Sequence, residues 1–316
     1  MKAWEEFLRG KSKKADVQAF SVRLFDSIFS LHRDLVNKTY AHGGYYAFKV
    51  SDPKPRHIHK APVRDRLLHH AIYRVLYPFF DKKFIADSFS CRNGKGSHRA
   101  LRRFHEFVRI VGKNNTRQCW ILKCDIRKFF ATIDHEVLIA LLKKDLPDAD
   151  VAWLCKNIIR SFENMPGKGL PLGNLTSQLF ANVYLNELDQ FVKHTLHAKH
   201  YIRYADDFVF FSHKKIDLEN WLGKIKTFLS ERLLLSLHKD KVFIKTIGAG
   251  VDFLGWVHFP DHRVLRTATK KRMIRRALSH NTDATIDSYC GLLKHGNACK
   301  LISMVKSFRQ DDDEKT

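Results

Sequence analysis

The chain has 316 residues with 56 Lys and Arg against 33 Asp and Glu, and the resulting formal charge of +23 points to a polyanionic partner. A hydrophobic fraction of 44%, with 24 Phe, excludes global disorder, and the length suits about two domains. No run of about 18 uncharged apolar residues occurs and MKAWEEFLRGKSKK lacks the apolar stretch of a secretory signal, so a soluble, cytoplasmic protein without a membrane role is expected.

Phe20, Leu24, Ile28, Leu31 and Leu35 recur at helical spacing and predict one amphipathic helix early in the chain. Pro53, Pro55 and Pro62 then break the chain around the basic run KPRHIHKAPVRDR, ahead of a second helix built on Leu68, Ile72, Val75 and Leu76. In CRNGKGSHRALRRF, Gly94 and Gly96 make a turn and Ser97 is placed to cap a helix carrying Leu101 and Phe104. From Trp120 the period changes to two: Trp120, Leu122, Cys124 and Ile126 share one face, Ile121, Lys123 and Asp125 the other. An acid therefore ends an apolar strand.

Asp134 is placed to cap a helix with Val137, Leu138, Leu141 and Leu142 inward, stopping before Pro147. GLPLGNLTSQ is a loop leading into a helix with Leu179, Phe180, Val183, Leu188, Phe191 and Val192 on one side. YIRYADDFVFF reads as a hairpin, followed by a helix through Leu218, Leu222, Ile225 and Leu229. RVLRTATKKRMIRR holds seven basic residues and no acid, and marks a boundary near residue 265 before a mainly helical part; DDDEKT is expected to be a frayed tail. The six cysteines form no CxxC pair and predict reduced thiols, while His57, His59, His69 and His70 are read as basic surface rather than metal ligands.

The adjacent acids Asp206 and Asp207 sit among strand formers, a setting hostile to charge unless a tight turn exposes them. With Asp125 they make three carboxylates at strand ends, which suits Mg²⁺ bound jointly with a substrate phosphate; the plainer alternative is that the pair are ordinary turn residues.

WILKCDIRKFFATIDH, GLPLGNLTSQLFANVYLNELDQF, YIRYADDFVFF and VDFLGWVHF resemble, in order and spacing, the sequence blocks of reverse transcriptases, particularly the group II intron and diversity-generating retroelement branches. PVRDRLLHHAIYRVLYPFF and SFSCRNGKGSHRAL resemble the fingers blocks, so the likeness covers roughly residues 50–300. It implies an α+β right-hand polymerase: an N-terminal helical extension at 1–40, fingers at 41–118, a palm of antiparallel sheet backed by helices at 119–262, a helical thumb at 263–310 and the acidic tail 311–316.

The same resemblance makes Asp125, Asp206 and Asp207 the catalytic triad for two Mg²⁺ ions, with Mn²⁺ as a substitute and the Ile126 carbonyl as a further ligand. It makes Phe130 the gate against a ribose 2′-hydroxyl, with Phe129 and Phe130 both core as the alternative. Arg56 and Arg64 match positions that grip the incoming deoxynucleoside triphosphate, with Lys60 and Arg66 as substitutes. Lys241 matches the proton donor to pyrophosphate, or is one more solvated strand lysine. Phe253, Leu254, Gly255 and Trp256 resemble the primer grip, and Arg266, Lys270, Lys271, Arg272, Arg275 and Arg276 form a basic stripe toward a template–primer duplex. Trp256 and Tyr289 read as core aromatics rather than base-stacking platforms.

In LPLGNLTSQ, Leu172 stands before Gly173 where many reverse transcriptases have Gln, and Gln178 follows the serine where many have Pro. That form resembles the diversity-generating branch, as does SYCGLLKHGN, and implies error-prone copying at template adenines, a structured template RNA and a small basic accessory protein. Little length remains after such a thumb, so RNase H, maturase and nuclease functions are expected from elsewhere. The competing readings are a retron-like or phage-defence reverse transcriptase and a noncatalytic RNA-binding scaffold.

Overall fold

In the computed structural model, residues 1–51 and 55–309 are described; Pro53 and the acidic tail 311–316 lie outside them. Three helices open the chain: α1 (Lys2–Leu8), α2 (Ala15–Val22) and α3 (Leu24–Val36). The single helix expected through Phe20 and Leu35 is thus broken at Arg23, where φ −115° and ψ 35° leave the helical region. The division between cores falls inside α3. Phe20, Leu24 and Ile28 pack with Trp4, Phe7 and Val17, whereas Leu31 and Leu35 join the main core.

The basic run is not an irregular break. It forms the second strand of an antiparallel hairpin, β1 (Tyr46–Val50) and β2 (Arg56–Lys60), with Tyr46 opposite Lys60 and Val50 opposite Arg56. Neither strand alternates buried with exposed residues, so no period of two betrays it. In α4 (Val63–Asp81), Leu68, Ile72, Leu76 and Phe80 turn inward, but Val75, expected beside them, is 67% exposed because its neighbour Leu76 takes the inward place. In α5 (Ser97–Val111), Gly96 is the N-cap and Ser97 the first helical residue, which corrects the expected cap; the serine makes no capping bond.

The chain continues through β3 (Trp120–Asp125), α6 (Phe129–Thr132), α7 (His135–Asp145), α8 (Ala149–Arg160), α9 (Leu175–Gln190), β4 (Tyr201–Tyr204), β5 (Asp207–Ser212), α10 (Lys215–Arg232) and β6 (Phe243–Thr246). Asp134 caps α7 by accepting from the Glu136 and Val137 backbone N–H groups at 3.1 and 3.2 Å. The last part holds β7 (Val251–Phe253), β8 (Trp256–His258), β9 (Arg263–Leu265), α11 (Thr267–Ser279), α12 (Asp283–Leu293) and α13 (Cys299–Lys306).

The central sheet has the order β4-β5-β3-β6 with every pairing antiparallel. Helices and a second sheet bury both its faces. Leu122, Cys124, Phe208 and Phe210 face a core shared with α4 and α7–α10, while Ile121, Ile202, Val209 and Phe211 face a second core shared with α5, the small sheet β7-β8-β9 and α11–α13. Because β9 pairs with β8, the small sheet runs up to the expected boundary near 265, where the helical part begins with α11. Cys91 and Cys299 are exposed, the other four cysteines are buried, and all six are free. His69 is not surface: it is buried, with its Nε2 3.2 Å from that of His42. Among the described residues no helix is long and apolar enough to cross a membrane.

Candidate active site

The antiparallel register sets Asp125, at the end of β3, opposite Asp207, at the start of β5. Between β4 and β5 the chain turns through Ala205, at φ 54°, and Asp206, whose carbonyl accepts from the Ile126 N–H at 3.2 Å. Carboxylates 81 and 82 positions apart in the chain from Asp125 therefore share one sheet end. Burial is the largest influence on both turn acids. It raises the Asp206 carboxyl above its ordinary pKa, with Asp125 adding, and Lys241 and Arg56 opposing. It pushes Asp207 up to about 7, against the pull of Lys123 and with Asp125 and Asp206 adding.

Two ammonium groups answer this concentration of charge. Lys241 donates from Nζ to Asp125 Oδ1 at 2.7 Å, and lies in a short 3₁₀ turn rather than a strand. Lys123 Nζ stands 3.4 Å from Asp207 Oδ2 and donates to the Asp252 carbonyl at 2.7 Å, which links the acids to β7. With the lysines in place, no three Asp, Glu, His or Cys side chains among the described residues gather as a ready coordination sphere. The donor set nonetheless fits a hard divalent cation. Asp207 Oδ1 is buried without a hydrogen-bond partner, and a carboxylate oxygen in that state is short of a cation or proton.

Behind the turn lies a buried polar network. Arg203 and Asp189 are both fully buried, with Nη2 donating to Oδ2 at 2.7 Å, and Tyr201 donates to the same carboxylate at 2.9 Å. Arg203 Nη1 reaches Asn182 Oδ1 at 3.2 Å and the Ala205 carbonyl at 3.3 Å, so its charge holds the first residue of the turn. Sequence reading passed over both Arg203 and Lys123. The signal for Lys123 was present, since it shares the Asp125 face of β3.

The other expected site residues divide into those near the acids and those held elsewhere. Arg56 begins β2, and its charge acts on Asp206. Arg64 is committed to α3: its guanidinium pairs with Asp34, donates to the Ala41 carbonyl at 3.3 Å and lies over the Tyr40 ring. The substitutes Lys60 and Arg66 both pair with Asp16. Phe129 is core, whereas Phe130 is only half-buried, its ring edge-on to that of Phe129.

The loop before α9 is docked on the hairpin. The Leu172 carbonyl accepts from His59 N at 3.0 Å, and Asn174 Nδ2 donates to the His59 carbonyl at 2.9 Å. Gly173 has φ +105°, and a Cβ there would lie 2.8 Å from Ile58 Cγ2. Gln178 and Gly173 line a cavity of about 360 Å³ together with Lys60 and Arg66.

In the expected primer grip, Phe253 and Trp256 are buried and belong to the second core. The turn between them, Leu254 at φ 50° and Gly255 at φ 82°, is half-buried. Tyr289 is half-buried against the same core. Arg266 fastens this turn to α11, its N–H donating to the Gly255 carbonyl at 3.1 Å and its Nη1 to Asp252 Oδ2 at 2.9 Å. Along α11, Lys270, Lys271, Arg275 and Arg276 are exposed and Arg272 half-exposed, while Met273 and Ala277 turn inward.

Comparison with known proteins bears on the family and the fold. The Protein YkfC of Escherichia coli K12 is 24% identical over 262 residues, covering 70% of this chain and 66% of that protein. The group II intron-encoded protein LtrA of Lactococcus lactis subsp. cremoris is 24% identical over 295 residues, covering 72% of this chain and 47% of that protein. The chain thus spans about half to two thirds of the length of these relatives. Among solved structures, telomerase from Candida albicans in complex with a fragment of telomeric RNA aligns at a TM-score of 0.56 and 12% identity, over 85% of this chain and 54% of that one. Apo telomerase from Candida tropicalis gives 0.56 and 11%, over 90% and 61%. At such identity the likeness shows the fold alone, that of a right-hand polymerase. Residues 49–258, more than half of the chain, match the family described as reverse transcriptase (RNA-dependent DNA polymerase), and with its kinship to group II intron-encoded proteins this places the chain as a member of the reverse transcriptase family.

Proposed function

We propose that the chain is an RNA-directed DNA polymerase that extends a primer on template RNA from deoxynucleoside triphosphates. The observation that carries this reading is the pairing of Asp125 with Asp207, with Asp206 in the adjoining turn. Held by these three carboxylates and the Ile126 carbonyl, two Mg²⁺ or Mn²⁺ ions would supply acidity for the primer 3′-hydroxyl and charge stabilisation for the leaving pyrophosphate. Asp125 keeps the Lys241 ammonium at the cluster, where Nζ is placed to give a proton to the pyrophosphate. Arg56 stands ready for the triphosphate, and Phe130 for the sugar as the gate. The Leu254–Gly255 turn offers the primer a bare backbone, and the exposed cations of α11 take duplex phosphates. In this reading fingers, palm and thumb occupy 41–118, 119–262 and 263–310.

We assign the chain to the diversity-generating branch, in which the copied RNA is a template repeat and the cDNA serves mutagenic retrohoming with a small basic accessory protein. What supports this is the apolar Leu172 before Gly173, beside the hairpin, where a side chain able to hydrogen-bond would tighten nucleotide discrimination. Primer extension on an RNA template with Mg²⁺ tests both levels. Product should form and Asp206→Asn should lower the rate by at least ~10³-fold, of the order lost with a principal charge-stabilising group, with RNA binding retained. Equal silence of both proteins would favour the scaffold. Sequenced products should carry errors concentrated at template adenines, and a low, even error spectrum would remove the branch assignment.

A further inference from the structure

A cavity of about 480 Å³ opens where α5, the β8–β9 turn and the α12–α13 loop meet. Its walls bring together Arg102 and His105 from α5, His258 and His262 from the hairpin, and Lys294 and His295 from the loop. Arg263 ties these three elements to one another, donating from Nη1 to the Leu101 carbonyl at 3.3 Å and from Nε to the His295 carbonyl.

The site is short of negative charge. Burial first, then Arg109 and Arg263, hold His105 below its ordinary pKa; burial first, then His98, Arg263 and Arg102, do the same to His295. Two acids stand at the rim against these cations: Glu106, which accepts from Arg103 at 3.0 Å, and Asp261, which accepts from Asn115 at 2.6 Å, and both oppose the lowering of His105 without reversing it. Among the described residues, Arg102 and Lys294 have no carboxylate partner. The chemistry that fits is an anion with several phosphate oxygens.

The cations also continue beyond the cavity. Arg102, His105, Arg109 and Lys113 follow one another at steps of three and four along α5 and its end, a row of about 16 Å at a rise of ~1.5 Å per residue. An adjoining depression shares His105 with the cavity and is lined by Arg109 and Lys113. A mononucleotide would fill the cavity and leave that row unanswered, whereas a strand of RNA answers both. The groove lies at the β8–β9 turn, at the other end of the three-residue β8 from the Leu254–Gly255 turn, and α5 packs on β5 through Phe104 and Phe211, toward the opposite end of β5 from Asp207.

We propose that this groove is a second RNA site, separate from the template–primer cleft, that holds the sugar–phosphate backbone of an RNA segment not being copied. The inference rests on the polymerase reading, and its test keeps the two apart. A fluorescent single-stranded RNA of about 12 nucleotides, a length within known single-strand site sizes, is titrated into the full chain already saturated with a template–primer hybrid. A second equivalent should bind. The double variant Arg102→Gln/Lys294→Gln should weaken it about tenfold and reduce the slope of log K against log salt by about 1.4, two phosphates at ~0.7 each. Lys143→Gln/Lys144→Gln, an equal loss of charge on α7, should do neither, and extension of the preloaded hybrid should be unchanged in both.

Photo-crosslinking of a 4-thiouridine RNA to the unaltered chain should label residues 98–113 or 293–297, which keeps the test independent of how the variants fold. Failure to bind a second equivalent, a double variant that behaves like the α7 control, or crosslinks confined to other segments would overturn the site. Displacement of the RNA by adenosine monophosphate would replace it with a mononucleotide site. Absence of extension by the unaltered chain would instead sink the polymerase reading while the binding result stood.

Discussion

Lys123 and Arg203 each place a positive charge against an acid, but the two do different work. Lys123 spans from Asp207 to the Asp252 carbonyl, so the position of the β7–β8 hairpin and the charge of the acid cluster are connected through one ammonium group. Arg203 never meets solvent. Burial opposes its charge, and Asp189 more than offsets that, leaving its pKa above the ordinary value. Removing one partner of such a pair leaves the other buried alone, so Asp189→Asn should lower unfolding stability by ~3–5 kcal/mol in urea denaturation; a loss below ~1 kcal/mol would show that the network is dispensable. The convergence of Asp125, Asp206 and Asp207 at one sheet end was legible in the sequence because charge interrupts apolar strands. Asp189 was not, since nothing in a helical pattern says that an acid on α9 will find an arginine fourteen positions later on a strand.

At the level of elements, strands and helices with buried faces were readable, and the exposed hairpin β1–β2 was not, because its residues carry no alternation for burial to impose. Its place is set by partners elsewhere: the loop before α9 supplies both bonds to the His59 backbone, and Gly173 lets Ile58 approach. An alanine at 173 would have to hold a positive φ and would crowd a β-branched side chain, together worth ~1–2 kcal/mol. Gly173→Ala should therefore loosen the hairpin, seen as roughly tenfold faster amide exchange at the bonded His59 N–H, since 1.4 kcal/mol is a factor of ten. Unchanged exchange would mean the loop does not hold the hairpin. The break at Arg23 escaped the helical pattern because the apolar spacing runs on across it, with Phe20 before it and Leu24 and Ile28 after it packed in the same small core.

Across the whole molecule, two buried histidines in different regions make stability depend on acidity. Burial, helped by neighbouring cationic groups, drives His69 on α4 and His258 on β8 from 6.5 down to about 3. Both stay neutral in the folded chain while the unfolded chain takes up a proton below about 6.5. Their contribution is thus complete above that pH and is lost as pH falls from 6.5 toward 3, at up to about 1.4 kcal/mol per pH unit for each. Denaturation midpoints should drop clearly between pH 7 and pH 5, and a flat profile would contradict the burial of both rings. The double-sided central sheet, for its part, has a bearing on what the chain can tolerate. Successive residues of β3 anchor in opposite cores, Ile121 in one and Leu122 in the other. Adding or deleting one residue there would invert every anchor and carry Asp125 out of line with Asp207, so the sandwich acts as a ruler that measures where the paired acids fall.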